Sequence, residues 1–325
     1  MRPMIFCNKG GLMIKEEFYF DSRDGENRIH AVRYTPDDGN VRGIVQIVHG
    51  MAEYVERYEN LAEFLTKRGI LVTGEDHLGH GKSVSEGGSF GYFCEQDPAT
   101  VVVRDVHRLK KITEEQYPQV PYIILGHSMG SFIARNYLCR YGSGIGGAVI
   151  VGTGMQPAGL IFASKAMAGI QKLFCGSKHV SHFIDKAAFG GYNKRIDSPR
   201  TSSDWLSRNT ENVDRYIEDE LCGFTFTVNG FQTLFELIRR LQKQENLEKV
   251  PQNLPILMVS GAEDPVGDYG KGVHKACDSL KRAGVKNITV KLYENDRHEL
   301  LNEDDAEVAM EDIWQWICKE IPGIA

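Results

Sequence analysis

The sequence predicts an α/β fold with a mainly parallel central sheet, helices on both faces of the sheet and an inserted helical cap. Two observations support this prediction. Short apolar strands alternate with amphipathic helices along most of the chain, and the alternation stops for about a hundred residues before it resumes. Alternating strands and helices form parallel sheets because each helix carries the chain back across one face of the sheet.

The first expected element is a hairpin, whose strands at residues 16–20 and 28–34 alternate around the turn Asp24-Gly25. Continuous apolar runs then predict buried strands, and apolar residues at every third or fourth position predict helices. The strands are expected at residues 44–48, 70–73, 122–125, 148–151, 256–259 and 288–293. The helices are expected at residues 57–68, 99–115, 131–140, 269–282 and 304–318.

The length of 325 residues exceeds one ordinary domain, which fits a core that carries a large insertion. Residues 15–154 and 251–325 are expected to form the two parts of the core. Residues 155–250 are helical in pattern and rich in aromatic side chains, and we expect them to form the cap.

Composition excludes several classes of function. The chain has a net charge of -6 and no cluster of lysine and arginine, so we expect no nucleic-acid partner, because phosphate binding needs a positive face. The longest uncharged stretch, residues 141–164, is repeatedly interrupted by glycine and by Pro157, so we expect no transmembrane segment. The seven cysteines are scattered and never spaced as Cys-x-x-Cys, which predicts free thiols and a cytoplasmic location.

The strongest local motif is Gly126-His127-Ser128-Met129-Gly130, which lies between a predicted buried strand and a predicted helix. A serine at such a turn is lifted above the sheet, and the helix that follows points its amides toward a developing oxyanion. A second match surrounds Ser89, but it follows a polar loop and precedes no clear helix. We therefore predict Ser128 as the nucleophile.

A serine hydroxyl needs a neighbouring base, and that base needs an orienting acid. Asp264 follows the predicted strand at residues 256–259 and is the expected acid, with Glu263 as the alternative. Two histidines follow Asp264 in the sequence. His274 falls inside a predicted helix, whereas His298 follows the last predicted strand at the same edge of the sheet, so His298 is the expected base.

An oxyanion hole requires two backbone amides, one from the residue after the nucleophile and one from a loop after an early strand. These amides are expected from Met129 and from Met51, which follows His49-Gly50 directly after the strand at residues 44–48. Other motifs fail in context: Gly142, Gly144 and Gly147 have dinucleotide-binding spacing but precede a strand. We expect no cofactor and no metal.

Together these motifs resemble the α/β-hydrolases of the monoacylglycerol lipase, lysophospholipase and serine aminopeptidase type. The resemblance spans almost the whole chain after residue 15 and also includes the loop at residues 76–83. It implies the same triad of Ser128, Asp264 and His298 and the same oxyanion amides. It further implies that Glu53 and Arg57 lie near the polar head group of the substrate, with a plain ion pair between them as the alternative.

These residues and this resemblance predict a serine hydrolase that cleaves acyl esters of monoacylglycerol or lysophospholipid type through an acyl-enzyme. An amidase or aminopeptidase with the same triad is the nearest alternative, and a non-catalytic ligand-binding protein of this fold is an alternative of another class. The cap is expected to roof an acyl pocket and to allow transient contact with a membrane. Its pocket residues are expected to include Phe224, Phe226, Phe231, Ile161, Met167 and Ile170.

Overall fold

A computed structural model describes residues 4–6 and 13–324, and a nine-stranded sheet lies at its centre. The strands are β1 (Met4–Phe6), β2 (Met13–Asp21), β3 (Arg28–Pro36), β4 (Gly43–Val48), β5 (Ile70–Glu75), β6 (Tyr122–His127), β7 (Gly147–Val151), β8 (Ile256–Gly261) and β9 (Ile288–Tyr293). Their order across the sheet is β1-β2-β3-β5-β4-β6-β7-β8-β9. Strands β4 to β9 run parallel, whereas β1, β2 and β3 extend the sheet at one edge through antiparallel pairs.

Ten α-helices accompany the sheet within the described residues. They are α1 (Glu59–Thr66), α2 (Pro98–Gln116), α3 (Met129–Tyr141), α4 (Ala158–Cys175), α5 (His182–Phe189), α6 (Thr210–Glu218), α7 (Val228–Leu241), α8 (Gln244–Leu247), α9 (Lys271–Arg282) and α10 (Ala306–Glu320).

Successive residues of the central strands face two separate apolar layers, as a pleated strand requires. In β4, Val45 and Ile47 pack in the layer that also contains side chains of α1 and α10. Ile44 and Val48 pack in the other layer, together with side chains of α2, α3 and α9. The predicted fold class, with helices on both faces of a mainly parallel sheet, is confirmed.

The expected hairpin and the parallel strands are present, with ends that differ by a few residues from the prediction. Helices α4 to α8 all lie between β7 and β8, where the helical pattern was expected. Helix α7 packs on α3 of the sheet layer, where Asn136 Nδ2 donates to the Leu237 carbonyl oxygen at 3.0 Å. The division of the chain at residues 155 and 250 stays a prediction.

Two further expectations from the sequence concern membrane-spanning helices and the state of the cysteines. No helix in these residues is both long enough and apolar enough to cross a membrane. Six of the seven cysteines lie within them and all six are free thiols, whereas Cys7 lies outside the described ranges.

Candidate active site

Ser128 lies at the turn between β6 and α3. Its backbone has a φ of 55° and a ψ of -122°, a conformation that residues other than glycine rarely adopt. The two motif glycines allow this turn by close packing. A Cβ at Gly130 would lie 1.9 Å from the Val48 carbonyl oxygen, and one at Gly126 would lie 2.4 Å from the Gly130 carbonyl oxygen. Any larger residue at either position would push α3 away from the sheet.

His298 and Asp264 lie next to this serine. His298 Nε2 lies 2.8 Å from Ser128 Oγ, within hydrogen-bonding distance. On the other side of the ring, Nδ1 lies 3.0 Å from Asp264 Oδ2, although the angle at Nδ1 falls outside hydrogen-bond geometry. Poorly aligned contacts of this kind are common in hydrolytic sites before substrate binds. The structure thus brings together the three side chains that the sequence predicts.

The alternatives considered from the sequence lie elsewhere. Asp264 is completely buried and accepts hydrogen bonds from Ser260 Oγ at 3.1 Å and from the Val266 amide at 2.8 Å, whereas Glu263 is exposed. His274 is exposed on α9, and Ser89 is exposed in a turn. The local geometry therefore favours Asp264 over its neighbour as the partner of the histidine.

Two backbone amides adjoin Ser128. Met129 is the first residue of α3, so its amide has no partner within the helix. The Met51 amide donates to no other group in the part of the chain that the structure describes. Both methionines line the same cavity as Ser128, so the structure places the two expected oxyanion residues beside the serine.

The cavity beside Ser128 has a volume of about 740 Å³ and two chemically different sides. On one side, apolar side chains come from α4 and α7, among them Ile161, Met167, Leu234 and Ile238. The other side is polar and carries Glu53, Tyr216 and Glu299. Within the described residues, no group of three or more His, Cys, Asp and Glu side chains is arranged to hold a metal ion.

The polar side chains of the cavity belong to a buried network of charged groups. Arg57 contacts Glu53 at 3.1 Å and both carboxylate oxygens of Glu299 at 2.7 and 2.8 Å. Glu53 Oε1 also accepts from the Gly50 amide at 2.5 Å and lies 3.2 Å from His127 Nδ1. One carboxylate therefore links the loop of Met51 to the turn of Ser128.

Opposite charges hold this network ionised despite its burial. Burial alone would raise the pKa of Glu53, but the hydrogen bond and charge of His127, together with the charge of Arg57, lower it below its ordinary value. Burial alone would lower the pKa of His127, but its hydrogen bond to Glu53 and the negative charge of that residue raise it. The geometry agrees with these directions, because the two ring nitrogens of His127 face acceptor oxygens of Glu53 and of the His298 carbonyl group.

Comparison with known proteins places this geometry in a family. The family model described as "Serine aminopeptidase, S33" matches residues 39–305, which is most of the chain. The chain belongs to this S33 family of α/β-hydrolases.

Relatives of this S33-family chain carry lipase and esterase names. It is 29% identical to the monoglyceride lipase of Rattus norvegicus over 273 residues, which cover 83% of this chain and 80% of the relative. It is 27% identical to the monoacylglycerol lipase of Mycolicibacterium smegmatis, over 89% of this chain and 92% of the relative. A thermostable carboxyl esterase from Bacillus coagulans, solved in complex with glycerol, is 30% identical with a TM-score of 0.88, over 96% of this chain and 99% of that one.

The structure places three of the pocket residues expected for this S33-family hydrolase away from the cavity. Phe224 lines the cavity, whereas Phe226 and Phe231 are completely buried in the core. The ring of Phe226 packs edge-on against Phe93 and at a tilt against Phe231. Ile170 on α4 is 59% exposed and faces away from the cavity that Ile161 and Met167 line.

The structure also bears on Arg57 and adds a residue that the sequence did not single out. Arg57 lies behind the cavity wall in the ion pairs described above, which is the alternative that the sequence left open, whereas Glu53 reaches the cavity. His127 lies between Glu53 and the loop of His298, with its Nε2 3.1 Å from the His298 carbonyl oxygen. Its position inside the Gly-x-Ser-x-Gly motif was visible, but its partners are distant in sequence.

Proposed function

We propose that this protein is a serine carboxylester hydrolase that cleaves the acyl ester of a monoacylglycerol or a lysophospholipid through an acyl-enzyme. The observation that carries this proposal is the 2.8 Å contact between His298 Nε2 and Ser128 Oγ at the wall of a cavity that apolar side chains of α4 and α7 line. A serine paired with a histidine base gains the nucleophilicity that its hydroxyl alone lacks.

In the first step, Ser128 Oγ attacks the carbonyl carbon of the ester while its proton passes to His298 Nε2. Asp264 holds the ring orientation and stabilises the imidazolium that forms. The carbonyl oxygen becomes an oxyanion, which the amides of Met51 and Met129 stabilise by hydrogen bonds that are strongest in the tetrahedral state.

In the second step, His298 donates its proton to the leaving alcohol oxygen, and the carbonyl reforms as an ester of Ser128. A water molecule then takes the place of the alcohol, gives its proton to His298 and attacks the acyl-enzyme. Collapse of the second tetrahedral intermediate returns the proton to Ser128 and releases the carboxylic acid.

The two sides of the cavity support a lipid ester as the substrate. The apolar side between α4 and α7 suits an acyl chain, and burial of each methylene is worth about 0.8 kcal/mol at most. Glu53 and Tyr216 on the polar side can bind hydroxyls of the leaving alcohol. The lipase and esterase names of the relatives agree with this class of substrate.

An aminopeptidase is the second candidate, because the family name refers to one and carboxylates reach the cavity. Binding of a free α-amine needs a carboxylate that is not already neutralised. Glu53 and Glu299 share Arg57, and Glu53 also faces His127, so their charge is largely compensated. Asp219 accepts a hydrogen bond from Tyr54 at 2.8 Å outside the cavity wall. These pairings make Glu53 and Glu299 poor sites for an amine. Asp185 on α5 also lines the cavity and forms no ion pair among the described residues, so the ester is favoured by the apolar wall and by the names of the relatives.

A non-catalytic protein of this fold is the candidate of another class. Such proteins commonly lose one member of the triad, whereas all three side chains are present and adjoin one another here. A strained serine is also costly to maintain without a chemical role. Both points support an enzyme.

We also propose that the helices over the cavity contact membranes transiently. Phe162, Leu173 and Phe174 on α4 and Phe183 on α5 expose between 64% and 85% of their surface. Exposed aromatic and aliphatic side chains beside a lipid-binding cavity favour contact with a lipid surface. We expect sedimentation with phosphatidylcholine vesicles to weaken in Phe174→Ser, and equal sedimentation of both proteins would contradict the proposal.

We also propose a cytoplasmic location, because free thiols such as the six in the described residues are typical of a reducing compartment.

A panel of substrates tests the proposed class. Monoacylglycerols, lysophosphatidylcholine, N-acyl amides and aminoacyl p-nitroanilides are offered to the purified protein and to Ser128→Ala as the control. We expect hydrolysis of the acyl esters at rates at least roughly 10⁴-fold above those of Ser128→Ala. Faster turnover of the aminoacyl p-nitroanilides would favour the aminopeptidase, and no turnover of any substrate would favour the ligand-binding protein.

A further inference from the structure

His298 belongs to a loop that is bound to the helical insertion on both sides of the histidine. We call residues 296–303 the histidine loop and residues 204–212 the strap. Directly after His298, the Glu299 amide donates to the Leu206 carbonyl oxygen at 2.6 Å. Directly before it, the Arg297 side chain donates to the carbonyl oxygens of Asp204 at 2.7 Å and Ser207 at 3.1 Å.

Glu303 joins the same two segments through its carboxylate. Its Oε1 accepts from the Arg297 amide at 2.8 Å. Its Oε2 accepts from Ser207 Oγ at 2.8 Å and from the Arg208 amide at 2.9 Å. The side chain is almost completely buried, with 4% of the residue exposed. Every one of these donors belongs to the histidine loop or the strap, so the carboxylate ties the two together.

The strap also touches the histidine ring. The ring of Trp205 lies 5.1 Å from that of His298, centroid to centroid, and both line the cavity. From the start of α6, Asn212 Nδ2 donates to Glu299 Oε2 at 2.6 Å. The strap therefore fixes the backbone before and after His298 and packs against its side chain.

We propose that Glu303 is a positioning residue for His298. It acts together with the strap, which it binds, to hold the imidazole of His298 in place. This inference rests on the proposed function, since it assigns a role in aligning the proposed base. The Arg297 amide lies one residue before His298, and the Glu299 amide lies one residue after it. Bonds to both amides restrict the peptide groups that carry the imidazole.

This role differs from binding substrate. Glu303 lies outside the cavity wall, so its own side chain makes no contact with the substrate. A misplacement of about 1 Å of a reacting group lowers the rate by roughly 100-fold. Loss of the Glu303 bonds should therefore lower kcat and leave KM nearly unchanged.

Glu303→Gln tests the proposal because a glutamine amide keeps the size of the side chain but replaces one acceptor oxygen with a donor. Either the Arg297 amide or the donors of the strap must then lose their partner. We expect kcat for p-nitrophenyl butyrate to fall by roughly 10- to 100-fold with KM within about two-fold. We expect labelling of Ser128 by a fluorophosphonate to slow by a similar factor. Glu307→Gln, at an exposed position on α10, is the matched control and should leave both rates unchanged.

A second variant keeps the test decisive if Glu303→Gln fails to fold. Ser207→Ala removes one donor to Oε2, and we expect a kcat lower by a few-fold with unchanged KM. In the double variant, the loss of kcat should be smaller than the product of the two single losses, because both changes act on the same carboxylate. An unchanged kcat in folded Glu303→Gln, a change in KM alone, or a wild-type kcat in Ser207→Ala would overturn the proposal.

The labelling experiment separates this inference from the proposed function. If the wild-type protein shows no labelling of Ser128, the proposed function fails. If the wild-type protein is labelled and Glu303→Gln is labelled at the same rate, the proposed function stands and the positioning role fails.

Discussion

The backbone at Ser128 has a φ of 55°, which costs on the order of 1–3 kcal/mol for a residue with a Cβ. The surrounding structure holds this conformation in place, because Gly130 lets the first turn of α3 approach the Val48 carbonyl oxygen. The strain lifts the hydroxyl out of the sheet toward His298 Nε2. A conformation of this cost at a side chain beside a buried base supports the proposed nucleophile.

The acid of the triad can be tested by exchanging two adjacent carboxylates. Asp264→Asn should leave the protein folded but lower kcat by roughly 10⁴-fold, because an amide favours the wrong tautomer of the histidine. Glu263→Gln is the matched control, since Glu263 is exposed and faces no base, and its kcat should stay near that of the wild type. Steady-state kinetics on one ester measures both. A reversed order of the two effects would move the acid to Glu263.

At the scale of elements, α2 is bound to the β2–β3 hairpin through a buried carboxyl group. Asp105 accepts hydrogen bonds from Ser22 Oγ at 2.8 Å and from the Arg23 amide at 2.6 Å. Burial raises the pKa of Asp105 to about 7, although both hydrogen bonds act in the opposite direction. The protonated carboxyl is therefore favoured in the folded protein.

This pKa predicts how stability depends on pH. The pKa of Asp105 is higher in the folded than in the unfolded chain. The stability that the protonated carboxyl gives the folded protein is therefore complete below about pH 4 and is lost as the pH rises through about 7. Between pH 5 and pH 8, the wild type should lose about 2 kcal/mol of unfolding free energy relative to Asp105→Asn. Urea denaturation of both proteins across this range measures the difference. Parallel pH profiles would show that Asp105 is ionised in the folded protein.

The elements also explain which parts of the site the sequence could predict. Asp264 and His298 follow the carboxyl ends of β8 and β9, and parallel strands place those ends at one edge of the sheet. Short apolar runs were enough to locate both strands and hence both residues. The signal for the Ser128 turn was equally local, since the spaced glycines, the strand and the helix all lie between residues 122 and 141.

The rest of the site depends on contacts between segments that are distant in sequence. Phe224 and Phe226 carry the same side chain two positions apart, yet only Phe224 lines the cavity, because packing of Phe226 against Phe93 sets the depth of each ring. Glu303 and Ser207 lie 96 positions apart. No local pattern marks such pairs.

At the scale of the whole molecule, the helices between β7 and β8 complete the candidate active site at the edge of the sheet. Helices α4 and α7 supply the apolar wall of the cavity, while the strap binds the histidine loop. The same insertion thus meets both the proposed acyl chain and the proposed base. Substrate choice and alignment of the base are accordingly linked in one segment.

The apolar wall predicts how the rate depends on chain length. For p-nitrophenyl esters, kcat/KM should rise by up to a few-fold per carbon until the cavity of about 740 Å³ is filled. Met167→Ala shortens a side chain of the wall and so enlarges the cavity. It should shift the preferred chain length while leaving hydrolysis of acetate esters nearly unchanged. Ile170→Ala, on the exposed side of α4, is the control. A rate independent of chain length in the wild type would contradict a lipid ester substrate.

The central claim is that Ser128, activated by His298, is the nucleophile of this hydrolase. Its most direct test is reaction with a fluorophosphonate, followed by mass spectrometry of the modified peptides in the wild type, Ser128→Ala and His298→Ala. We expect modification at Ser128 in the wild type, none at this position in Ser128→Ala, and labelling slowed by roughly 10⁴-fold in His298→Ala. Modification of Ser89 in place of Ser128, or an unchanged rate in His298→Ala, would contradict it.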